Sequence, residues 1–347
     1  MLIFLIGFPN HFTNMCEEIT LNLARLAYGS AELINADTPD EFALQIIGTE
    51  TPNVIIGARR PSPRLQQMLI QSRSRFIMAL SEPWSVVAEM IKVHHTDPIT
   101  AVRTVASSTA SVLRCAKSEG ALILTDRNGS APVDISIAID HHFSFNLGRA
   151  ELPAGVPEAR GPDGDQGIDN WWQQTDAGVK ALVNGALDAF VDYAASGQIG
   201  QITWERSLFY VGDNPGEPAT RALDIAGTSR CLIYGPYITL PPGGWTAHVV
   251  LACCRRAVGM GLVVEVTSDS LVLGRTRLPL EQPGIADATL DFMVSETMET
   301  PIEIRVFNER AAIDGRIGLG RVILVPRMTL NRDNQDNVVA ELGLEVG

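Results

Sequence analysis

LIFLIGFPNHFTNMCEEITLNLARL, residues 2–26, decides the fold of the first half of the chain. The apolar run at residues 2–6 is far too short to span a membrane and reads as a buried strand. Gly7 opens a short loop, and a helix is expected to begin near Thr13 or Asn14. Strand, short loop and helix form the unit that can cradle phosphates on backbone amides at a helix N-terminus. Here the loop GFPNHFTN lacks the lysine and most of the glycines that such a cradle uses. The stretch therefore speaks more directly to fold than to activity.

The same alternation continues to about residue 149. Strands are predicted at residues 2–6, 32–35, 53–57, 75–80 and 121–125, with helices between them, the pattern of an α/β domain with a mainly parallel sheet. One helix opens at TPDE, where Thr38 suits the N-cap, Pro39 the first turn and Glu41 the capping box. Another is predicted from Asp97-Pro98 to about Ser118, with Gly120 ending it.

Residues 150–167, AELPAGVPEARGPDGDQG, are rich in Pro, Gly and acids and read as a linker or long surface loop. Val179, Leu182, Val183, Ala186, Leu187, Phe190 and Val191 then hold helical spacing, so one face of that helix is buried. From residue 201 short apolar or alternating runs recur between turn signals such as Pro-Pro-Gly-Gly, which predicts an antiparallel β-sandwich of jelly-roll type to residue 327. The expected organisation is an α/β domain at 1–149, a linker and amphipathic helix at 150–200, a sandwich at 201–327 and a loose tail at 328–347. On this reading the sandwich, residues 201–327, is also expected to fold on its own.

Composition narrows the partners. The chain has 347 residues and a formal net charge of −13, against nucleic acid or a general anionic membrane as partner. Charge is uneven, with ten bases to five acids over residues 51–127 but a single Arg in residues 1–50. That leaves room for a local basic surface. The five cysteines are odd in number and lack CxxC spacing, which suggests neither a disulfide framework nor a zinc knuckle. The short apolar start has no basic n-region, so residence in the cytoplasm is the expectation.

Read in order, residues 1–148 resemble the sulfotransferase family. FLIGFPNHFTNM falls where that family has its 5′-phosphate loop, and RFIMALSEPWSVVAEM where it has the strand, turn and helix that hold the 3′-phosphate. ALILTDRN and a helix containing Ile135, Ile139 and Phe143 follow the later strand–helix segment. The resemblance places Asn10 at the loop lysine, His11 and Phe12 at the small residues after it, and Thr13 at a retained hydroxyl. It places Ser81 and Glu89 at the 3′-phosphate arginine and serine, and Arg59 and Arg60 near the catalytic Lys/His segment. What it implies is a degenerate transferase, since losing a cation that stabilises developing charge costs on the order of a hundredfold in rate. A doubly wound domain with another ligand is the standing alternative. His11, Thr13, Arg59, Arg60 and Ser81, with Glu82 beside them, are the candidate anion or vestigial cofactor site, gathered at the C-terminal edge of the strands.

The remaining constellations are weaker. His94-His95 and His141-His142 lack the i, i+4 spacing of a metal helix, and neighbouring helical residues diverge by about 100°, so no metal site and no cofactor are expected. Trp171-Trp172 reads as packing. Residues 229–326 resemble carbohydrate-binding β-sandwiches that accompany bacterial surface-polysaccharide enzymes. That resemblance implies Tyr234, Tyr237, Trp245, Glu303, Arg305, Asp314 and Arg316 as candidate glycan-site residues, core packing being the other reading of the aromatics.

Together these readings lead to a glycan-recognition or scaffolding protein in bacterial polysaccharide assembly, without catalysis. An active glycan-directed transferase with an atypical site around His11, Thr13, Arg59 and Arg60 is the second reading. A structural oligomer is the third. A polysaccharide or glycan partner is expected, a homo-oligomer or protein partner stays open, and no membrane span is expected.

Overall fold

A computed structural model describes residues 1–126, 131–147, 163–196, 198–295, 298 and 300–327. Its elements in chain order are β1 (Leu2–Gly7), α1 (His11–Tyr28), β2 (Glu32–Asn35), α2 (Pro39–Ile46), β3 (Val54–Ala58), α3 (Pro63–Ser72), β4 (Phe76–Leu80) and α4 (Pro83–Lys92). Next come α5 (Pro98–Val112), β5 (Ala121–Thr125), α6 (Pro132–Phe143), α7 (Asp163–Gln174), α8 (Ala177–Ser196) and β6 (Ile202–Glu205). The all-β part holds β7 (Tyr210–Val211), β8 (Asn214–Pro218), β9 (Leu223–Asp224), β10 (Cys231–Ile238), β11 (Gly243–Cys253) and β12 (Gly261–Ser268). It ends with β13 (Leu271–Pro279), β14 (Gly284–Val294), β15 (Ile302–Asn308) and β16 (Arg316–Arg327). The protein is α/β followed by all-β. Its described residues form two compact units, Met1–Leu208 with Tyr237–Pro241, and Phe209–Pro236 with the described residues from Pro242 onward.

In the first unit five parallel strands run in the order β2-β3-β1-β4-β5. β3 and β4 are buried from end to end, and β1 from Ile3 onward, because helices cover both faces, which is why they read as unbroken apolar runs rather than alternating ones. Ile3, Leu5, Ile55, Ile77 and Leu124 of the sheet pack with Phe12, Cys16, Ile19 and Leu23 of α1 and with Ile135 and Ile139 of α6. α2 begins as its sequence dictates. Thr38 Oγ1 accepts the Glu41 N–H at 3.1 Å, Glu41 Oε2 accepts the Thr38 N–H at 3.2 Å, and Pro39 opens the helix. In α8 the apolar stripe buries Leu182, Val183, Ala186, Leu187 and Phe190.

Three boundaries differ from the sequence reading. α1 starts at His11 rather than Thr13 or Asn14, because Asn10 supplies the cap. α5 stops at Val112, and the chain tightens into a 3-10 turn at Cys115–Lys117, where Ala116 N–H donates to Leu113 O. α7 begins at Asp163, inside the stretch read as linker; most of that stretch, like the tail from residue 328, lies outside the described residues.

The second unit is antiparallel. β11 lies between β14 and β16, and β12 lies between β13 and β15. β14 shows the period of a half-covered strand, with Ala288, Leu290, Phe292 and Val294 inward and Asp287, Thr289, Asp291 and Met293 outward. Among the described residues no helix is long and apolar enough to cross a membrane.

Candidate functional site

β1 lies at the middle of the parallel sheet. The chain leaves it toward β2 and β3 on one side and later resumes at β4 on the other, so the loops after β1 and β4 part at their C-terminal ends. Such a switch point is where open α/β sheets receive ligands. Phe8, Pro9 and Asn10 follow β1, and Ser81 and Glu82 follow β4.

Asn10 closes this crevice. Its Oδ1 accepts the Thr13 N–H at 3.1 Å, capping α1, while its Nδ2 donates to Ser81 Oγ at 2.5 Å. Its own N–H donates to Phe8 O at 2.8 Å. Asn10 is 5% exposed and Ser81 4%, so both side chains lie inside the protein. Beneath them Thr13 is fully buried, its Oγ1 without a hydrogen-bond partner and set against Gly7, where a Cβ would stand 2.5 Å from it. His11 is the first residue of α1 and partly exposed. Replacing Asn10 with alanine is expected to cost about 1–2 kcal/mol, since a cap and a buried hydroxyl both lose a partner. Urea melts of Asn10→Ala would show it, and an unchanged midpoint would remove the cap from the account.

Arg59, after β3, lies along the same loop. Its Nη1 donates to Phe8 O at 3.3 Å, and its Nη2 donates to Asn14 Oδ1 at 2.9 Å and Glu17 Oε2 at 2.5 Å. Asp37, after β2, fixes the turn below, its Oδ1 accepting the N–H groups of Arg59 and Arg60 at 2.7 Å each. The Glu17 side chain is only 6% exposed, so its charge depends on Arg59. Burial raises the Glu17 carboxyl above its ordinary value, and the Arg59 charge and hydrogen bond pull the other way. Asp126, at the end of β5, accepts the Glu82 N–H at 2.7 Å. Among the described residues the edge therefore holds Glu17, Asp37, Glu82 and Asp126 against Arg59 and exposed Arg60.

The structure thus brings Thr13, Arg59, Arg60, Ser81 and His11 to one edge. Glu17, Asn14, Asp37 and Asp126 belong to it too, and the sequence reading passed over them. Asn10 had a legible signal, an asparagine three residues before the N–H it caps. Glu17 had none, because its partner is 42 residues away.

The candidate glycan residues are dispersed instead. Tyr234 on β10 is half-buried, its ring 5.6 Å from that of Tyr210. Tyr237 belongs to the first unit, where the Arg103 guanidinium stands 5.5 Å from its ring centre. Trp245 is 1% exposed, so its ring lies in the core, which removes it from any surface site. Glu303, 6% exposed, accepts from Arg305 Nε at 2.8 Å and Nη2 at 2.5 Å. Asp314 pairs with Arg256 at 2.5 Å and Arg316 is exposed, both near the loop joining β15 to β16. The Arg256 hydrogen bond, then the Gly315 N–H, holds the Asp314 carboxyl below its ordinary range.

No protein-family model matches the chain, and no curated protein matches it. Among solved structures it is similar to a mouse sulfotransferase, SULT7A1, complexed with PAP, at 10% identity and TM-score 0.35 over 56% of this chain and 88% of that one. It is also similar to TmCBM61 in complex with β-1,4-galactotriose, at 13% identity and TM-score 0.26 over 35% and 91%. A third is an apo cyclase from Fischerella sp., at 15% identity and TM-score 0.21 over 29% of this chain. The chain spans about 55% of that cyclase's length. At these values none of the three assigns an activity to this chain.

Proposed function

We propose that the chain is a non-catalytic binding protein of the cytoplasm, with a sulfotransferase-like first unit that has lost its donor site and a second unit that recognises a glycan. Its role on this reading is recognition or scaffolding in bacterial polysaccharide assembly. The observation that carries the loss of donor binding is Asn10. At the position where the resemblance puts a lysine, both ends of its amide are spent inside the protein, on the Thr13 N–H and Ser81 Oγ. Arg59 is likewise engaged by Glu17, so among the described residues this loop offers a bisphosphate no free positioned cation of the strength that donor binding requires. The active-transferase reading needs His11, Thr13, Arg59 and Arg60 to act together, and of these Thr13 is buried and Arg59 is held by Glu17.

For the glycan, we take Tyr234, whose ring lies beside that of Tyr210, and the Glu303–Arg305 pair as the site, an aromatic face and a hydrogen-bonding pair on the same six-stranded sheet. Calorimetry tests both halves. Adenosine 3′-phosphate 5′-phosphosulfate is expected to give no measurable heat of binding, while a panel of bacterial polysaccharides is expected to contain a binder weakened by Tyr234→Ala. Micromolar donor affinity, about −8 kcal/mol, would restore the transferase reading. Failure of every glycan to bind, or binding indifferent to Tyr234, would sink the recognition role.

A further inference from the structure

One end of the second unit carries a charge at odds with the rest of the chain. Residues 254–259 leave β11 and lie against residues 309–316, which join β15 to β16. Backbone and side-chain bonds clamp the two loops. Cys254 N–H donates to Arg316 O at 3.0 Å, Arg316 N–H donates to Cys254 Sγ at 3.1 Å, and Arg310 Nη2 donates to Gly259 O at 2.9 Å. Arg256 pairs with Asp314, and Ala312 exchanges both backbone bonds with Gly227 at 2.8 and 2.9 Å. Ile313 stands between those two anchored neighbours. Its side chain is 100% exposed, and Val258 on the facing loop is 37% exposed.

Around this apolar point Arg255, Arg256, Arg310 and Arg316 are all exposed. The guanidiniums of Arg255 and Arg316 make no hydrogen bond to any described residue. Three carboxylates stand beside the group: Asp314, held by Arg256; Asp224, which is opposite Arg316 across the β9–β16 ladder and accepts the Ala226 N–H; and exposed Glu281, next to Leu280, whose carbonyl accepts the Gly259 N–H. Glu309 is neutralised by Arg277. A net charge of −13 sits on the whole chain, yet charges more than about 8 Å away are largely screened at physiological salt, so a surface sees the local excess of arginine.

We propose that this loop end docks on an anionic lipid surface, Ile313 entering the headgroup region and the arginines meeting lipid phosphates. Arginine suits the task, because its planar fork binds phosphate bidentately and its stem tolerates apolar surroundings. An acidic saccharide would satisfy the arginines too, but it would leave Ile313 and Val258 in water. Lipid accounts for both halves of the patch. The proposal is independent of the glycan reading of the sheet.

Cosedimentation of the full chain with phosphatidylcholine vesicles, with and without about one-third phosphatidylglycerol, tests it. Binding to the anionic vesicles alone is expected, weakening steeply with salt. The double change Arg255→Glu with Arg316→Glu should lower partitioning at least about 30-fold. Ile313→Asp, at a fully exposed position, should lower it at least about tenfold without moving the melting curve, and Ile313→Ser gives the same readout without adding charge. Equal binding to neutral vesicles, unchanged binding of the Ile313 variants, or no sedimentation would overturn the proposal. Binding to soluble polygalacturonate but not to vesicles would overturn it in favour of an acidic saccharide.

Discussion

Alanine at Arg59 is expected to lower the unfolding free energy of the first unit by about 3 kcal/mol at neutral pH. The reason is Glu17. Its side chain is 6% exposed, and removing the guanidinium leaves a carboxylate with little water and no countercharge. The figure sits at the low end for a broken buried pair because the Arg59 side chain is itself 22% exposed and part of its charge is screened. The deficit carries a pH signature. Burial already raises the Glu17 carboxyl in the folded protein, and losing Arg59 raises it further. A carboxyl raised on folding binds more protons folded than unfolded, so stability falls as pH rises through that window. The Arg59→Ala deficit should therefore be full above the folded value of Glu17 and shrink as pH falls into the ordinary carboxylate range. Denaturant melts of wild type, Arg59→Ala and Arg59→Ala with Glu17→Gln at two pH values decide it. The added glutamine should recover much of the loss at neutral pH. A deficit independent of pH and of Glu17 would show that Arg59 acts only through Phe8 O and Asn14.

Alanine at Gly7 is expected to cost about 3 kcal/mol, at the upper end for overpacking. Its Cβ would stand 2.5 Å from Thr13 Oγ1, 2.6 Å from Thr13 Cγ2 and 3.0 Å from Ala79 O. The first two belong to a fully buried, β-branched side chain near the start of α1, and the third to the backbone of the neighbouring strand. Neither side can yield without moving α1 off the sheet. Shortening Thr13 to alanine removes two of the three contacts, so the double variant should be more stable than Gly7→Ala alone. A double-mutant cycle with no coupling between the two positions would contradict this account.

Much of the first unit was legible because its signals are local. Thr38, Pro39 and Glu41 form their capping box within four residues, and each parallel strand is a short apolar run bounded by turn residues. The end of α1 that matters most was misplaced by two or three residues. His11 and Phe12 read as part of the loop GFPNHFTN, whereas Asn10 already caps the helix through the Thr13 N–H. In the second unit the alternation along β11 and β14 marked strands clearly but did not say which face was inside. Trp245 therefore stayed a candidate for sugar contact until the neighbouring strands placed it in the core.

The sequence by itself determined the class of the protein, α/β then all-β, because helix and strand follow from periodicity, caps and turns that span fewer than about a dozen residues. Tertiary structure alone decided what the candidate site is. Asn10 meets Ser81 across 71 positions and Arg59 meets Glu17 across 42, and both meetings depend on the order β2-β3-β1-β4-β5, which puts β3 and β4 on opposite sides of β1. Pairing at such separations is chosen by burial and charge in the assembled sheet, where a carboxylate without water must find a cation. No local pattern encodes which cation that will be.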